Sequence, residues 1–212
     1  MKFLTPKDDF PPVEKANAMG LLAYGGDLSP ERLRKAYTHG IFPWYNSSQP
    51  ILWWSPDPRM VLFPKNLKIS KSMKQLLKKD FFEVSFNQNF KEVIANCADM
   101  KRDGQEGTWI TSEMQDAYLK MHELGLAESI EVWQDDRLVG GIYGIYLKEQ
   151  KVFCGESMFT KESNASKYGF IKMVENLKDR GVRLIDCQIY TEHLASLGAE
   201  EISREEFLKY LK

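Results

Sequence analysis

Ile130-Glu131-Val132-Trp133-Gln134-Asp135-Asp136-Arg137-Leu138-Val139-Gly140-Gly141-Ile142-Tyr143-Gly144-Ile145-Tyr146 reads as two strands joined by a turn at the paired aspartates. β-Branched and aromatic residues on both sides of a turn-forming pair predict a hairpin. Lys151 to Met158 continues the sheet, and Asn164 to Lys178 reads as a long helix closed by Gly181. Leu184 to Ile189 follows as a buried strand. Ser203 and Glu206 box the start of a terminal helix. Working back from the hairpin, Met114, Ala117, Tyr118, Met121 and Leu124 mark a helix that Ser112 and Gln115 would cap and Gly125 would end. Phe90, Val93, Ile94 and Cys97 mark another helix, and Phe82 to Phe86 alternates like a strand. Lys71 to Lys79 is an amphipathic helix with Met73, Leu76 and Leu77 inside.

Residues up to about Leu62 have a different texture, rich in Gly, Pro and Trp. One short helix stands out there, capped by Ser29, with Pro30 in its first turn and Leu33, Ala36 and Tyr37 on one face before Gly40. The expected class is α+β: a small irregular N-terminal domain over 1–62, then a mixed-sheet domain over 63–212. From Phe82 the order is β-α-α-β-β-β-α-β-α. It resembles the fold of the GCN5-related N-acetyltransferases (GNAT-like). Acetyltransferases of that kind usually hold the coenzyme A pyrophosphate on a glycine-bearing loop before the long helix, where backbone amides face the anion. Thr160-Lys161-Glu162-Ser163-Asn164-Ala165-Ser166 stands there instead and lacks those glycines.

The chain has 212 residues, is 43% hydrophobic and 12% aromatic, and carries a formal net charge of -1, which predicts a globular protein without a global field for nucleic acid. Three cysteines (Cys97, Cys154, Cys187) without a C-x-x-C fit neither a disulfide framework nor a zinc site. His39, His122 and His193 show no ligand spacing, so no metal is expected. No phosphate loop appears, so no cofactor is expected. The N-terminus lacks the apolar core of a signal peptide and no stretch could span a bilayer, which points to the cytoplasm.

Several strings in order resemble the leucyl/phenylalanyl-tRNA–protein transferases. They are Gly20 to Pro30 (GLLAYGGDLSP), Gly40-Ile41-Phe42-Pro43-Trp44, Pro50 to Arg59 (PILWWSPDPR), Gly107-Thr108-Trp109-Ile110-Thr111, Gly155-Glu156-Ser157-Met158-Phe159, Asn164-Ala165-Ser166-Lys167, Asp186-Cys187-Gln188 and His193 to Ala199. They cover nearly the whole chain. Departures are small: the N-terminal lead is short, Glu128 stands where histidine is common, and Ser203 where proline is common. The resemblance implies transfer of Leu or Phe, and also Met, from aminoacyl-tRNA to the α-amine of proteins that begin with Lys or Arg. The product would be an N-degron, a degradation signal. The enzyme is expected to act as a monomer, away from membranes.

The ester on tRNA is already activated, so alignment of two substrates is the main task. Asp186 and Gln188 lie two apart on a strand and are expected to leave the same face, with Cys187 on the other. Gln188 would accept a hydrogen bond from the attacking amine, and Asp186 would orient that amide or take up positive charge; a strand-end carboxylate such as Asp186 also often only satisfies backbone donors. Glu156, in an apolar strand, needs a partner: either the acceptor's amine or basic side chain, or an internal salt bridge. A Cys187 nucleophile with His193 as base is a weaker reading, because a cysteine in such a strand is usually a small buried apolar residue. By family position Ile142, Phe153, Met158, Phe170 and Ile185 would form the donor pocket. Each alone reads as ordinary core, and only the family match raises the group. Trp44 and Trp109 would stack the terminal adenosine of tRNA, while Trp53 and Trp54 would hold the small domain together. Tyr118 reads either as helix core or as a hydroxyl facing the ester. Lys71, Lys74 and Lys78 fall on one helical face, with no acidic residue between Lys65 and Lys79, which suits tRNA phosphates or simply solvent. A coenzyme A acyltransferase, a tRNA-dependent enzyme with cell-wall peptides as acceptors, and an RNA-binding adaptor are the alternatives.

Overall fold

The computed structural model describes residues 1–100 and 108–212; Gly107, the first residue of one family string, lies outside the described residues. The N-terminal part is more regular than its composition suggests. Strands β1 (Lys2–Leu4), β2 (Leu21–Gly25), β3 (Phe42–Pro43) and β4 (Leu52–Trp54) form a sheet in the order β1-β2-β4-β3, joined by helix α1 (Pro30–Thr38). The two- to five-residue strands are too short for an alternating pattern to declare itself. Ser29 caps α1 by accepting from the Arg32 amide, as its position predicts.

The second sheet has seven strands. β5 (Arg59–Leu62), α2 (Lys71–Lys78), β6 (Glu83–Phe86), α3 (Phe90–Asp99), α4 (Ser112–Glu123), β7 (Ala127–Gln134), β8 (Arg137–Leu147) and β9 (Val152–Thr160) come first in sequence. α5 (Ala165–Asp179), β10 (Leu184–Gln188), α6 (Glu192–Ser196), β11 (Glu200–Ile202) and α7 (Arg204–Lys209) complete the chain. The spatial order is β11-β5-β10-β9-β8-β7-β6. Within it β9 and β10 run parallel, joined across α5, and the other neighbours are antiparallel. The class is thus α+β with a mixed sheet. The expected order from Phe82 is present, with the short α6 and β11 added before the last helix. Residues 59–62 pair with β10 and β11, so the ladder of the large sheet begins four residues before the division at 62/63.

Helices cover both faces of this sheet. α3 and α4 pack on one face, in a core shared with α1 and the small sheet. α5 packs on the other, over Ile142, Phe153 and Ile185. α4 starts one residue earlier than its expected box: Thr111, not Ser112, accepts from the Met114 amide, and the Gln115 carboxamide donates to the Ile110 carbonyl. Ser203 caps α7 as expected.

Glu128, where the family commonly has histidine, sits on β7 and accepts twin hydrogen bonds from Arg180, both 2.7 Å. No helix among the described residues is long and apolar enough to cross a membrane.

Candidate active site

Two local breaks in the sheet build the site. On β9 the ladder to β8 runs Tyr143 to Ser157 and then Gly144 to Gly155, which leaves Glu156 as an extra, unpaired residue. Gly144 permits this crossing: a Cβ placed there would lie 2.3 Å from the Cys154 carbonyl oxygen. On β10 the ladder to β5 slips between Asp186 and Gln188, and Gln188 takes a left-handed backbone with φ of 67°.

The second break overturns the expectation that Asp186 and Gln188 share a face. The period of two holds only while the pleat is regular. Asp186 is 1% exposed and turns behind the sheet. Its carboxylate takes two hydrogen bonds from Arg59, Nε to Oδ1 at 2.8 Å and Nη2 to Oδ2 at 2.7 Å. Gln188 turns the other way, with Cys187 beside it rather than opposite. Its backbone N–H donates back to Asp186 Oδ1 at 2.9 Å.

The Gln188 carboxamide meets Glu156. Nε2 donates to Glu156 Oε1 at 2.9 Å, while the Tyr118 hydroxyl donates to Oε2 at 3.0 Å. With Glu156 ionised the carboxylate only accepts, so the Gln188 amide presents its nitrogen here, and its oxygen has no hydrogen-bond partner among the described residues. The Tyr118 hydroxyl is also hydrogen-bonded to that of Tyr37, on α1. Glu156 is therefore partnered by hydroxyls and a carboxamide; the internal salt bridge weighed from the sequence is not its partner. Burial pushes its pKa up to about 7. The hydroxyls of Tyr37 and Tyr118 and the Gln188 amide pull it down, and the negative charge of Asp186 adds to the rise. Burial, reinforced by the Glu156 carboxylate, pushes both tyrosines well above their usual range, so their hydroxyls stay protonated. A carboxyl that titrates near neutrality inside a fixed hydrogen-bond set is suited to accept a proton from an amine.

Glu156 and Gln188 border a recess of about 100 Å³ lined also by Ile142, Met158, Phe170, Met173, Ile185, Cys187 and Leu194. Four of the five expected pocket residues, Ile142, Met158, Phe170 and Ile185, are in its wall. Phe153 is not: fully buried, it belongs to the apolar cluster behind. Met173 and Leu194 were missed. Met173 falls on the inner stripe of α5 and reads as core; Leu194 belongs to a five-residue helix with no usable periodicity. Tyr37 shares the apolar face of α1 and reads as core, and its hydroxyl partner is 81 residues away in sequence. A wider groove of about 830 Å³ between the N-terminal segment and the C-terminus contains none of the expected site residues.

Cys187 does not suit a nucleophile. Burial raises its thiol pKa far above the usual range, and the Asp186 charge adds to this. Trp44 is 39% exposed, set edge-on to Trp54, whose Nε1 donates to the Trp44 carbonyl at 2.7 Å. Trp109 is only 9% exposed and joins the core beside Ile110 and Met114, contrary to the exposed ring expected from its polar neighbours. Lys71, Lys74 and Lys78 are exposed on α2, whose Met73 is buried. Among the described residues no three His, Cys, Asp or Glu side chains are grouped to hold a metal ion.

Comparison with known proteins places these features in context. The family model described as "Leucyl/phenylalanyl-tRNA protein transferase" matches residues 61–212, and the model for that family's N-terminal domain matches 26–57. A leucyl/phenylalanyl-tRNA–protein transferase of Christiangramia forsetii is 64% identical over 211 residues, covering 100% of both chains. One from Pseudomonas aeruginosa (strain LESB58) is 55% identical over 206 residues, 96% of this chain and 90% of that one. Among solved structures, a GCN5-related N-acetyltransferase from Kribbella flavida aligns over 80% of this chain and 60% of that one, at 9% identity and a TM-score of 0.40.

Proposed function

The chain belongs to the leucyl/phenylalanyl-tRNA–protein transferase family and is an aminoacyltransferase, and from that premise we propose that Glu156 and Gln188 receive the acceptor's amine beside a pocket for the donor side chain. The donors are leucyl-, phenylalanyl- and methionyl-tRNA. The acceptors are proteins whose first residue is Lys or Arg, and the product is an N-degron. The enzyme works in the cytoplasm as a monomer.

The observation that carries this reading is the Glu156–Gln188 hydrogen bond at the rim of an apolar recess. Ile142, Met158, Phe170 and Ile185 would surround a large apolar side chain and reject a charged one through its desolvation cost. Phe153 would back that wall from behind. Such walls separate close apolar relatives by only about 1–3 kcal/mol per methylene, which suits several donors.

In the reaction the α-amine nitrogen attacks the ester carbonyl, a C–N bond forms, and the C–O bond to the tRNA ribose breaks. The amine loses a proton and the ribose oxygen gains one. Gln188 Oε1 would accept a hydrogen bond from the amine and aim its lone pair. The ionised form of Glu156 would take the proton, and its pKa of about 7 lies close to that of an α-amine, roughly 7.7–8.0. The Tyr118 hydroxyl keeps Glu156 in place. Asp186 contributes by orienting Gln188 from behind the sheet.

Trp44 would stack the terminal adenosine, and Lys71, Lys74 and Lys78 would contact phosphates of the acceptor stem. Trp109 would support that end from within the core. Such contacts follow the RNA backbone and end, so selection rests on the attached amino acid.

The test mixes leucyl-tRNA with peptides that differ only in their first residue and measures added mass. Leucine should appear on peptides that begin with Arg or Lys, and transfer should fall sharply with Glu156→Ala or Gln188→Ala. Equal labelling whatever the first residue, or unchanged transfer by both variants, overturns the reading.

A further inference from the structure

Arg59 lies at the junction between the two family matches, outside both. It is 1% exposed, as is its partner Asp186. Beyond the paired bonds to that carboxylate, its Nη1 donates to the Gly40 carbonyl at 3.2 Å. Its guanidinium carbon lies 4.8 Å from the centroid of the Phe42 ring and 4.6 Å from that of Phe207. Three segments far apart in sequence thus fix one cation. A planar fork held this way presents both N–H groups to a carboxylate in a single orientation.

That orientation is passed on. Asp186 Oδ1, which receives Arg59 Nε, also receives the backbone N–H of Gln188. Gln188 is in the left-handed region, where a residue with a Cβ is strained and persists only when its surroundings over-determine it. The hydrogen bond two residues back to Asp186 supplies that constraint, and the turned backbone aims the carboxamide at Glu156. Both oxygens of Asp186 are engaged inside the protein, so the carboxylate reaches the reaction through Gln188.

We infer that Arg59 is a positioning residue for aminoacyl transfer, acting through Asp186 on the backbone of Gln188. This rests on the reading of Glu156 and Gln188 as the amine-facing pair.

The first variant is Arg59→Met with Asp186→Leu, which removes both charges and strands neither. The second is Arg59→Lys, which keeps the charge and loses the fork. Gln188→Ala is assayed beside them. In the folded double variant kcat falls on the order of 100-fold, the cost of an ångström-scale misplacement, while KM for leucyl-tRNA stays within about twofold. In protein labelled with ¹⁵N-glutamine, the Gln188 backbone amide signal shifts or broadens. Arg59→Lys moves kcat and the same signal in the same direction by a smaller amount, and it decides the matter alone if the double variant fails to melt cooperatively. A folded variant with kcat near wild type overturns the inference, as does a lowered kcat with an unmoved Gln188 signal. If Gln188→Ala transfers at the wild-type rate, the reading of the amine-facing pair fails instead. If Gln188→Ala is impaired and the Arg59 variants are not, only the role of Arg59 fails.

Discussion

Replacing Glu156 by Gln should make the protein more stable at neutral pH while it impairs transfer. The carboxyl titrates at about 7 in the fold against an ordinary value of 4.5. The folded state therefore holds this proton over a range in which the unfolded chain has released it, and stability declines as pH rises from 4.5 through 7. The full difference is about 3 kcal/mol, reached by roughly pH 8 and lost again below 4.5. Glutamine never ionises, so Glu156→Gln escapes that cost. It can also keep the local network: its oxygen accepts from Gln188 Nε2, and its nitrogen donates to the Tyr118 hydroxyl, which then donates to Tyr37. Urea unfolding followed by tryptophan fluorescence between pH 4.5 and 8 measures the gap between the two proteins. It should open from near zero to about 3 kcal/mol in favour of the variant. Parallel stability curves across that range would refute the argument, because Glu156 would then titrate alike folded and unfolded.

Lys71→Glu with Lys74→Glu should raise KM for aminoacyl-tRNA and flatten its salt dependence, each lost phosphate contact lowering the log–log slope by about 0.7–0.9; equal slopes would return α2 to the status of a solvated face. The two tryptophans should part company. Trp44→Ala should weaken tRNA binding by about 1–3 kcal/mol with little change in melting, whereas buried Trp109→Ala should destabilise the fold by about 3–5 kcal/mol in chemical denaturation. Gly144→Ala would press a methyl group against the Cys154 carbonyl and the Phe153 ring, costing about 1–3 kcal/mol of stability and lowering kcat by shifting the bulge that carries Glu156; an unchanged melting temperature would contradict the crossing geometry.

Much of the site's composition was legible from family position on regular elements. Ile142, Met158, Phe170 and Ile185 sit on strands and a helix where pattern alone gives core; family position singled them out, and they share one recess. The failures cluster where the chain departs from its period. The Asp186–Gln188 face was misread because one slip in the ladder and one positive φ undo the alternation. Phe153 was expected in the wall but lies behind it, since strand position gives a direction and not a depth. Trp109 has polar neighbours yet packs inward, which only the arrangement of α3 and α4 decides. Arg59 and Asp186 are 127 residues apart, and no local signal announces such a pair. The strands of the small sheet were too short to be seen at all.

The clamp on Arg59 also bears on how the chain can be rearranged. Its ring walls come from residues 42 and 207, and the carboxylate it grips from residue 186. The seam near residue 58 looks like a natural place to split the gene. Fragments cut there would keep Arg59 with residues 186 and 207 and would recover transfer only as tightly as the N-terminal piece re-seated residues 40 and 42 on that guanidinium, which makes fragment complementation a direct gauge of that contact.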